Sequence, residues 1–236
     1  MNTRLRVLCA AIASALLAGT AFANTGSVAQ LSGTLSVTKA DGSIKILSQK
    51  SEVTSGDTLN TEKDTFAQIR FSDGGQVTLK PNTSLKIEDF RFSEQKPQDD
   101  SFLFSLVKGG LRAVTGIVGK RSRDNYRMGT ATATIGIRGT TYSVDDCTSR
   151  RDGDCGQLEP AVFVSVSDGE IVVRNSQGER AYQAGTFGQI SPNQAPLFLS
   201  TDPGLQFTPP AQFIQAVLSG TLLNSGKSLE CVVKAR

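Results

Sequence analysis

Four basic residues form the most concentrated charge in the sequence. Lys120, Arg121, Arg123 and Arg127 lie within eight positions, directly after a segment rich in apolar residues and glycine. Clustered cationic groups favour an anionic partner, such as a glycan, a lipid head group or an acidic protein surface. Most clusters of this kind are solvated turns, so the sequence leaves both interpretations open.

A pair of cysteines is the second chemically distinctive feature. Cys147 and Cys155 flank a short polar loop. In an oxidising compartment two cysteines so close in the chain predict a disulfide. Closing a loop of this length is worth about 2–3 kcal/mol in the chain-entropy model. Cys231 is left over, and is expected either to be buried or to pair with another chain.

Metal binding is the alternative use of these residues. Two thiols leave a tetrahedral zinc ion short of ligands, because the chain contains no histidine. Calcium prefers carboxylate oxygens, but the acidic residues near the cysteines lack the spacing of a calcium loop. Those residues are Asp145, Asp146, Asp152 and Asp154. We therefore expect no metal and no cofactor.

The absence of histidine also bears on catalysis, since it removes the usual general base at neutral pH. A glycosidase that uses two carboxylates needs no histidine. However, no such pair lies on an identifiable cleft-forming element, and tryptophan is absent. The sequence therefore favours a binding protein over an enzyme.

The N-terminus has the pattern of a secretory leader. Arg4 and Arg6 precede an apolar run, Val7–Leu17, and Ala21-Phe22-Ala23 follows as a cleavage signal. An uncleaved anchor is the alternative, but the run is short for a membrane span. We expect cleavage after Ala23 and a periplasmic or secreted protein.

Removal of this leader brings the chain close to neutrality. The full sequence has 25 Lys and Arg against 22 Asp and Glu, and losing two arginines leaves a charge near +1. Such a balance argues against nucleic acid as a partner. No second apolar run is long enough to cross a membrane.

Strand-turn patterns dominate the rest of the chain. Asp-Gly pairs between alternating apolar segments predict hairpins at 41–42, 73–74 and 168–169, with a weaker Gln-Gly signal at 177–178. Phe102–Val107 and Leu111–Val118 predict two strands separated by glycines. We expect an all-β fold of short strands and hairpins, arranged as a sandwich or as a β-roll resembling a short solenoid.

The stretch from Tyr126 to Tyr142 is the centre of the predicted fold. Threonine and alanine alternate over 130–134, which predicts an interior strand. Gly136 and Gly139 then predict a bulge or bend, where a side chain would disturb the fold. Arg138 between them is an ordinary strand residue, or else an inward anchor or a ligand contact.

This stretch resembles the signature of FecR-domain proteins of the bacterial envelope. The similarity rests on T-A-T-I-G-I-R-G-T at 132–140, and two further regions are similar to the same family: Gly56–Leu59 with Ala67–Gly74 and Leu79–Ile87, and Val164–Ile190. The resemblance implies an all-β extracytoplasmic module that passes a signal in some members. It implies no catalytic residues, and marks Gly136, Arg138, Gly139 and Thr140 as motif positions.

The resemblance and the composition together suggest how the chain is divided. We expect a leader at 1–23, a hairpin region at 24–53 packed on the domain, a FecR-like domain at 54–190, and a proline-rich segment with a tail at 191–236. A short amphipathic helix is plausible at 211–218.

The expected function follows from these features. We expect a non-enzymatic module of the bacterial envelope that senses a signal or acts as a scaffold, with an envelope protein or a glycan as partner. The alternative is a structural surface protein that binds glycan or peptidoglycan. The oligomeric state is open.

We predict that the leader is removed after Ala23 because a charged start, an apolar run and a small-x-small pattern occur in succession. Intact-mass measurement of the envelope fraction should find a chain that begins at Asn24. A full-length species confined to the cytosol would contradict this prediction.

Overall fold

The structure is a computed structural model that describes residues 25–148, 155, 156, 158–205, 210 and 213. The predicted leader, Cys231, and the predicted helix at 211–218 apart from Phe213 lie outside these residues. No helix in the described part is long and apolar enough to span a membrane.

The described residues form fifteen strands and one short α-helix, α1 (Ile117–Arg121), with single 3₁₀ turns at Pro97–Asp99 and Arg123–Asn125. The strands are β1 (Gly26–Ser32), β2 (Leu35–Thr38), β3 (Ile44–Leu47), β4 (Glu52–Val53), β5 (Thr58–Thr61), β6 (Phe66–Phe71), β7 (Gln76–Leu79), β8 (Ser84–Arg91), β9 (Ser101–Val114), β10 (Tyr126–Gly129), β11 (Thr134–Asp146), β12 (Val162–Asn175), β13 (Gly178–Gln183), β14 (Phe187–Ile190) and β15 (Leu197–Leu199).

The strands form one hydrogen-bonded sheet that folds into two facing layers. One layer has the order β4-β1-β6-β7-β9-β11-β12-β14-β15, and the other has β3-β2-β5-β8-β9-β10-β11-β12-β13. The ring of Phe71 in the first layer lies 5.0 Å from that of Phe90 and 4.5 Å from that of Phe102 in the second. The expected all-β class is confirmed, and the two layers enclose one apolar core as in a sandwich.

The predicted N-terminal region at 24–53 contributes to both layers. β1 pairs with β6 in the first layer, and β2 pairs with β5 in the second. Val28, Leu35 and Val37 from this region are buried in the common core. These strands therefore complete the same sheet.

Three long strands belong to both layers, and each bends at a glycine. Gly109 in β9, Gly139 in β11 and Gly169 in β12 have φ values of +83°, +63° and +76°. Residues with a side chain rarely adopt this left-handed conformation. The first half of β9 pairs with β8, and its second half pairs with β7 and β11. The bend thus carries one strand from one layer into the other.

β10 fills a gap that these bends create. β9 and β11 pair directly over 109–114 and 141–146, and diverge beyond the bend. β10 lies between the diverging halves, parallel to β9 and antiparallel to β11. The segment at 115–125 that leads into β10 therefore lies where the two layers separate.

Asp73 holds the start of α1 at this separation. Its main-chain oxygen accepts a hydrogen bond from the amide of Ile117 at 2.9 Å, and its Oδ2 accepts one from the amide of Val118 at 3.2 Å. Burial raises the pKa of the Asp73 carboxyl, because the charged form loses its hydration. The β6–β7 turn is thereby fastened to α1.

The predicted hairpins are present with one exception. Turns at 41–42 and 73–74 join β2 to β3 and β6 to β7, and the 177–178 signal marks the connection of β12 to β13. The prediction at 168–169 was wrong, because this pair lies inside β12 at its bend. A positive φ occurs both in turns and in bulges, so an Asp-Gly pair alone does not distinguish a hairpin turn from a bulge.

The two strands predicted on either side of Gly109 and Gly110 are one strand, β9. The second of them was predicted to reach Val118, but β9 ends at Val114 and α1 begins at Ile117. The contacts with Asp73 that fix this short helix come from a distant turn. Local sequence therefore could not reveal them.

The interior strand predicted over 130–134 was also wrong. These residues lie between β10 and β11, and only Thr134 belongs to a strand. The Oγ1 of Thr130 accepts hydrogen bonds from the amides of Thr132 and Ala133 at 3.3 and 3.0 Å. A hydroxyl group that binds nearby amides competes with strand pairing and favours a turn.

The proline-rich segment after residue 190 adds an edge to the first layer, where β15 pairs with β14. The hydroxyl group of Tyr182 donates a hydrogen bond to the carbonyl of Leu197 at 2.9 Å, and Nε of Arg180 donates one to the carbonyl of Pro196 at 2.5 Å. Burial raises the pKa of Tyr182 to about 12. This segment was predicted to lie over the core or to act as a linker, and it lies on the core.

Gly136 differs from the three bend glycines. Its φ lies outside the left-handed region, and a Cβ added there would meet only the carbonyl oxygen of Val172, at 3.9 Å. The geometry therefore indicates a conformational need for glycine at Gly139 and not at Gly136, and the expectation that both are needed for the fold stays a prediction.

We predict that alanine substitutions destabilise the fold in the order Gly169, Gly139, Gly136. A Cβ on Gly169 would lie 2.5 Å from the carbonyl oxygen of Gly139, so overlap adds to backbone strain and the cost should exceed about 2 kcal/mol. Gly139→Ala should cost about 1–2 kcal/mol through its backbone conformation, and Gly136→Ala less than about 0.5 kcal/mol. Denaturant unfolding measures all three, and a Gly136 variant as unstable as the Gly169 variant would contradict the order.

Candidate functional site

The motif residue Thr140 locks the bend of β11 to both neighbouring strands. Its Oγ1 accepts a hydrogen bond from the amide of Arg138 at 3.1 Å and donates one to the carbonyl of Glu170 in β12 at 2.7 Å. Its amide donates to Oγ1 of Thr115 at 2.8 Å, and its carbonyl accepts from the amide and the hydroxyl group of Thr115. These bonds give Thr140 a structural role at the point where three segments meet.

Arg138 lies at the surface. Its side chain is 57% exposed, and Nη1 lies 2.8 Å from Oε1 of Glu170. Because exposed ion pairs contribute little to stability, the structure supports the ordinary interpretation of Arg138. The alternative of an inward anchor is not what the structure shows.

Cys147 and Cys155 form a disulfide, with their Cα atoms 5.8 Å apart. Cys147 packs with Ala161 and Phe163 in a small apolar cluster beside the main core, and Cys155 borders it. The bridge thus lies beside the apolar cluster at the first layer.

The acidic residues near the disulfide serve other contacts. Oδ1 of Asp145 lies 2.6 Å from Nζ of Lys80, and Oδ1 of Asp146 accepts hydrogen bonds from the amide and hydroxyl group of Thr148. Asp152 and Asp154 lie outside the described residues. Among the residues that the structure does describe, no three acidic or thiol side chains are grouped as metal ligands.

The basic cluster divides into residues with different environments. Arg121 at the end of α1 holds Asp100, whose side chain is fully buried: its Nε lies 2.8 Å from Oδ2 and its Nη2 3.2 Å from Oδ1. Arg121 also bonds the carbonyl of Ser93 at 2.5 Å. The hydrogen bonds that Arg121 donates to Asp100 raise the pKa of Arg121. Arg121 therefore fastens the loop before β9, and does not form a free binding surface.

Arg123 and Arg127 instead line a cleft. The cleft encloses ≈ 380 Å³ on the outer face of β10, β11 and β12. Both side chains are exposed, and among the described residues neither makes an ion pair or a side-chain hydrogen bond. Lys120 is exposed nearby on α1, but does not line the cleft. Two arginines without a side-chain partner among the described residues thus face one cavity, which the exposed Asp124 also lines.

Gly136 helps to keep this cleft open. It lines the cavity beside Val172, with which it is paired across β11 and β12. The open space above it would receive any side chain placed there. The sequence predicted a role for Gly136 in the fold. Its position in the structure indicates instead a role in the shape of the cleft.

A buried tyrosine pair supports the cleft from below. Tyr126 lines the cavity with a small exposed edge, and its hydroxyl group lies 3.1 Å from that of Tyr142 in the core. Burial raises the pKa of both phenols above the usual value. Both groups stay protonated near neutral pH, so the cleft gains no negative charge from them.

Sequence reasoning missed two residues of the cleft. Arg174 and Glu179 line its far wall, where Nε of Arg174 lies 2.6 Å from Oε2 of Glu179. Thr134, Arg174 and Glu179 stand in register across three strands. Only that pairing brings them to the basic cluster, because nearly fifty positions separate them from it in sequence.

The arrangement suits binding of an anion. Its cationic groups lie on one side of an open cavity, while the far wall carries a compensated ion pair. Within the part of the chain that is described, no nucleophile stands beside a general base in this cleft.

Comparison with known proteins identifies the domain. The family model of the FecR protein matches residues 57–172. The chain contains a FecR domain. No curated protein matches it. Two crystal structures at 1.65 and 2.50 Å resolution, each described as a candidate anti-sigma factor from Parabacteroides distasonis, are similar to it with 16% identity and a TM-score of 0.46. The match covers 69% of this chain and 65% and 64% of those chains, so this chain spans less than two thirds of their length.

The FecR match contains most of the features described above. Asp73, Asp100, the bend motif, the disulfide and the basic cluster all lie within residues 57–172. Arg174, Glu179 and β13–β15 follow the match, and β1–β4 precede it. The cleft is therefore formed jointly by the FecR match and the strand that follows it.

We predict that Arg121→Gln lowers the melting temperature more than Lys120→Gln does. Both changes remove one positive charge from α1, but only the first leaves the buried carboxylate of Asp100 without its cation. Thermal unfolding followed by circular dichroism decides between them. Equal melting temperatures would show that Asp100 does not depend on Arg121.

Proposed function

We propose that this protein is a non-enzymatic, extracytoplasmic FecR-domain module of the bacterial envelope. In this proposal it binds an acidic segment of an envelope protein in the cleft lined by Arg123 and Arg127, and so takes part in signal sensing or scaffolding. The observation that carries the proposal is the pair of exposed arginines, neither with a side-chain partner among the described residues, at a cavity in a chain of nearly balanced charge.

The position of the two arginines favours a macromolecular partner. The cleft is open along the outer face of three strands, so an extended chain can lie across it. Exposed charges at such a site act chiefly on the rate of association and on its salt dependence. Arg123 on a 3₁₀ turn and Arg127 on β10 have separate backbone supports, which can hold two anionic groups of one segment.

Two observations support a location outside the cytoplasm. The sequence begins with the pattern of a secretory leader. The disulfide between Cys147 and Cys155 suits an oxidising compartment.

The proposal excludes turnover of a substrate for a chemical reason. The chain has no histidine, and of the two carboxylates that line the cleft Glu179 is engaged with Arg174, which leaves Asp124 alone. A pair of free carboxylates, which a glycosidase would need, is not found among the residues that line the cleft.

We predict that the double variant Arg123→Gln/Arg127→Gln loses the partner while the fold is kept. The protein and its variants would be immobilised and exposed to envelope extract, with captured proteins quantified by mass spectrometry. A partner should be captured by the wild type, and its association should slow at least tenfold in the double variant at low salt. The melting temperature should change little, because neither arginine has a partner in the described part of the structure.

Lys45→Gln/Lys63→Gln provides the matched control. It removes the same charge from exposed positions outside the cleft, and should capture the partner normally. Gly136→Val fills the cleft without changing its charge, and should also weaken capture. Equal loss in the control would indicate a general effect of charge. Capture unchanged by both cleft variants would overturn the proposed site.

One further experiment distinguishes the glycan-binding alternative from binding of an envelope protein. Purified peptidoglycan would be sedimented with the wild type and with the same variants. Cosedimentation that survives the double arginine substitution, with no protein captured from the extract, would favour a structural surface protein.

A further inference from the structure

A second cavity lies at the other end of β11 and β12. It encloses ≈ 360 Å³ on the outer face of the first layer, within the lower range of small-ligand cavities of about 300–1000 Å³. Arg112, Ser143 and Ser165 form its floor. They stand directly opposite one another on β9, β11 and β12. Neighbouring strands are about 4.8 Å apart, so the guanidinium and two hydroxyl groups form one short polar row.

Arg112 is the chemically distinctive residue of this row. Its side chain is half-buried, and among the described residues it makes no ion pair and no side-chain hydrogen bond. A guanidinium carries five N–H donors in a planar fork that matches a carboxylate. The other cationic side chain nearby, Lys80, is already paired with Asp145 at 2.6 Å. Arg112 therefore remains the cation available to a ligand.

The serines around Arg112 supply further donors. Ser143, Ser165 and Ser167 line the cavity, and no hydrogen bond from their hydroxyl groups is made within the described part of the chain. Hydroxyl groups at this spacing can bond the oxygen atoms of an anion held by Arg112. Asp145 also lines the cavity, but its carboxylate is paired with Lys80. A row of donors around an unpaired guanidinium therefore indicates an oxyanion.

The opposite wall is apolar and is held in place. Phe163, Pro203 and Leu205 line the cavity. Nζ of Lys80 donates a hydrogen bond to the carbonyl of Leu205 at 3.3 Å, and Leu205 packs on the apolar cluster beside the disulfide. Gly110 makes room for this clamp, because a Cβ there would overlap the Asp145 carboxylate.

Asp202 gives the cavity a negative rim. Its Oδ1 accepts a hydrogen bond from the amide of Gly204 at 2.8 Å, which leaves the exposed carboxylate close to the cavity. This rim disfavours a multiply charged anion such as phosphate, because like charges repel. A singly charged carboxylate with a short apolar body satisfies the guanidinium, the hydroxyl groups and the apolar wall together.

We propose that this cavity is a binding site for a ligand carboxylate, which Arg112 holds in the bidentate manner. Two sources offer this chemistry: the free C-terminus of a short peptide, and a uronic acid of an acidic sugar. The site is independent of the arginine cleft, so it goes beyond the function proposed above.

The test is titration of the ¹⁵N-labelled protein, followed by NMR. N-acetyl-alanyl-alanine probes the peptide source and digalacturonic acid probes the sugar source. The C-terminal amide of the first and the methyl ester of the second serve as matched neutral controls. At least one free acid should shift the amide signals of β9, β11 and β12 near residues 112, 143 and 165, and its neutral control should bind at least tenfold more weakly.

Variants then test the role of Arg112. Arg112→Gln should weaken binding at least tenfold, and Arg112→Lys should weaken it less. Arg70→Gln, at an exposed position of β6 in the same layer, should have no effect. If Arg112→Gln fails to fold, Ser165→Leu fills the cavity and should abolish the same shifts.

The outcomes identify the source of the ligand carboxylate, and they also test the proposal itself. Binding of only one free acid identifies the source, and binding of both supports a general carboxylate site. The proposal is overturned if neither acid shifts these signals, if the neutral controls bind as well as the acids, or if Arg112→Gln binds as the wild type does. None of these results depends on the arginine cleft, because Arg123 and Arg127 stay unchanged.

Discussion

The contact between two bends determines how this sheet is built. Gly169 in β12 lies so close to the carbonyl oxygen of Gly139 in β11 that a Cβ would be 2.5 Å from it. Both residues have a left-handed backbone, and Thr140 bonds the carbonyl of Glu170 across the same point. Because the two strands turn together here, they stay paired in both layers. Without the paired bends, neither the gap that β10 fills nor the cleft above it would exist.

The two candidate sites lie on opposite sides of that bend. The arginine cleft uses the first part of β11 and the last part of β12, whereas the carboxylate cavity uses the other parts. In each, register places an arginine beside small residues: Arg127 beside Gly136, and Arg112 beside Ser143. Small neighbours leave the guanidinium reachable from solvent. The same feature, an arginine in register with a small residue, therefore shapes both cavities, although they would suit different ligands.

Features with short-range causes could be predicted from the sequence. The all-β class, the turns at 41–42 and 73–74 and the disulfide each depend on residues that are close in the chain. The failures depend on distant partners. Asp168-Gly169 forms a bend because β11 bends beside it. Ile117 and Val118 are helical because Asp73 accepts hydrogen bonds from their amides. Arg112 drew no attention in the sequence, since only strand register places it beside Ser143 and Ser165. Register is a property of the whole sheet.

Stability explains one arginine of the basic cluster and leaves two others unexplained. A buried carboxylate such as Asp100 is costly without a cation, so Arg121 is needed whatever the protein binds. Arg123 and Arg127 satisfy no such carboxylate among the described residues, and they lose nothing to desolvation because they are exposed. An exposed, unpaired charge contributes almost nothing to folding. These two positions differ from other exposed charges because both face one cavity. The floor of that cavity includes Gly136, whose backbone conformation does not require a glycine. Folding alone does not explain the two charges or the glycine. The proposed recognition of an anionic segment explains all three residues.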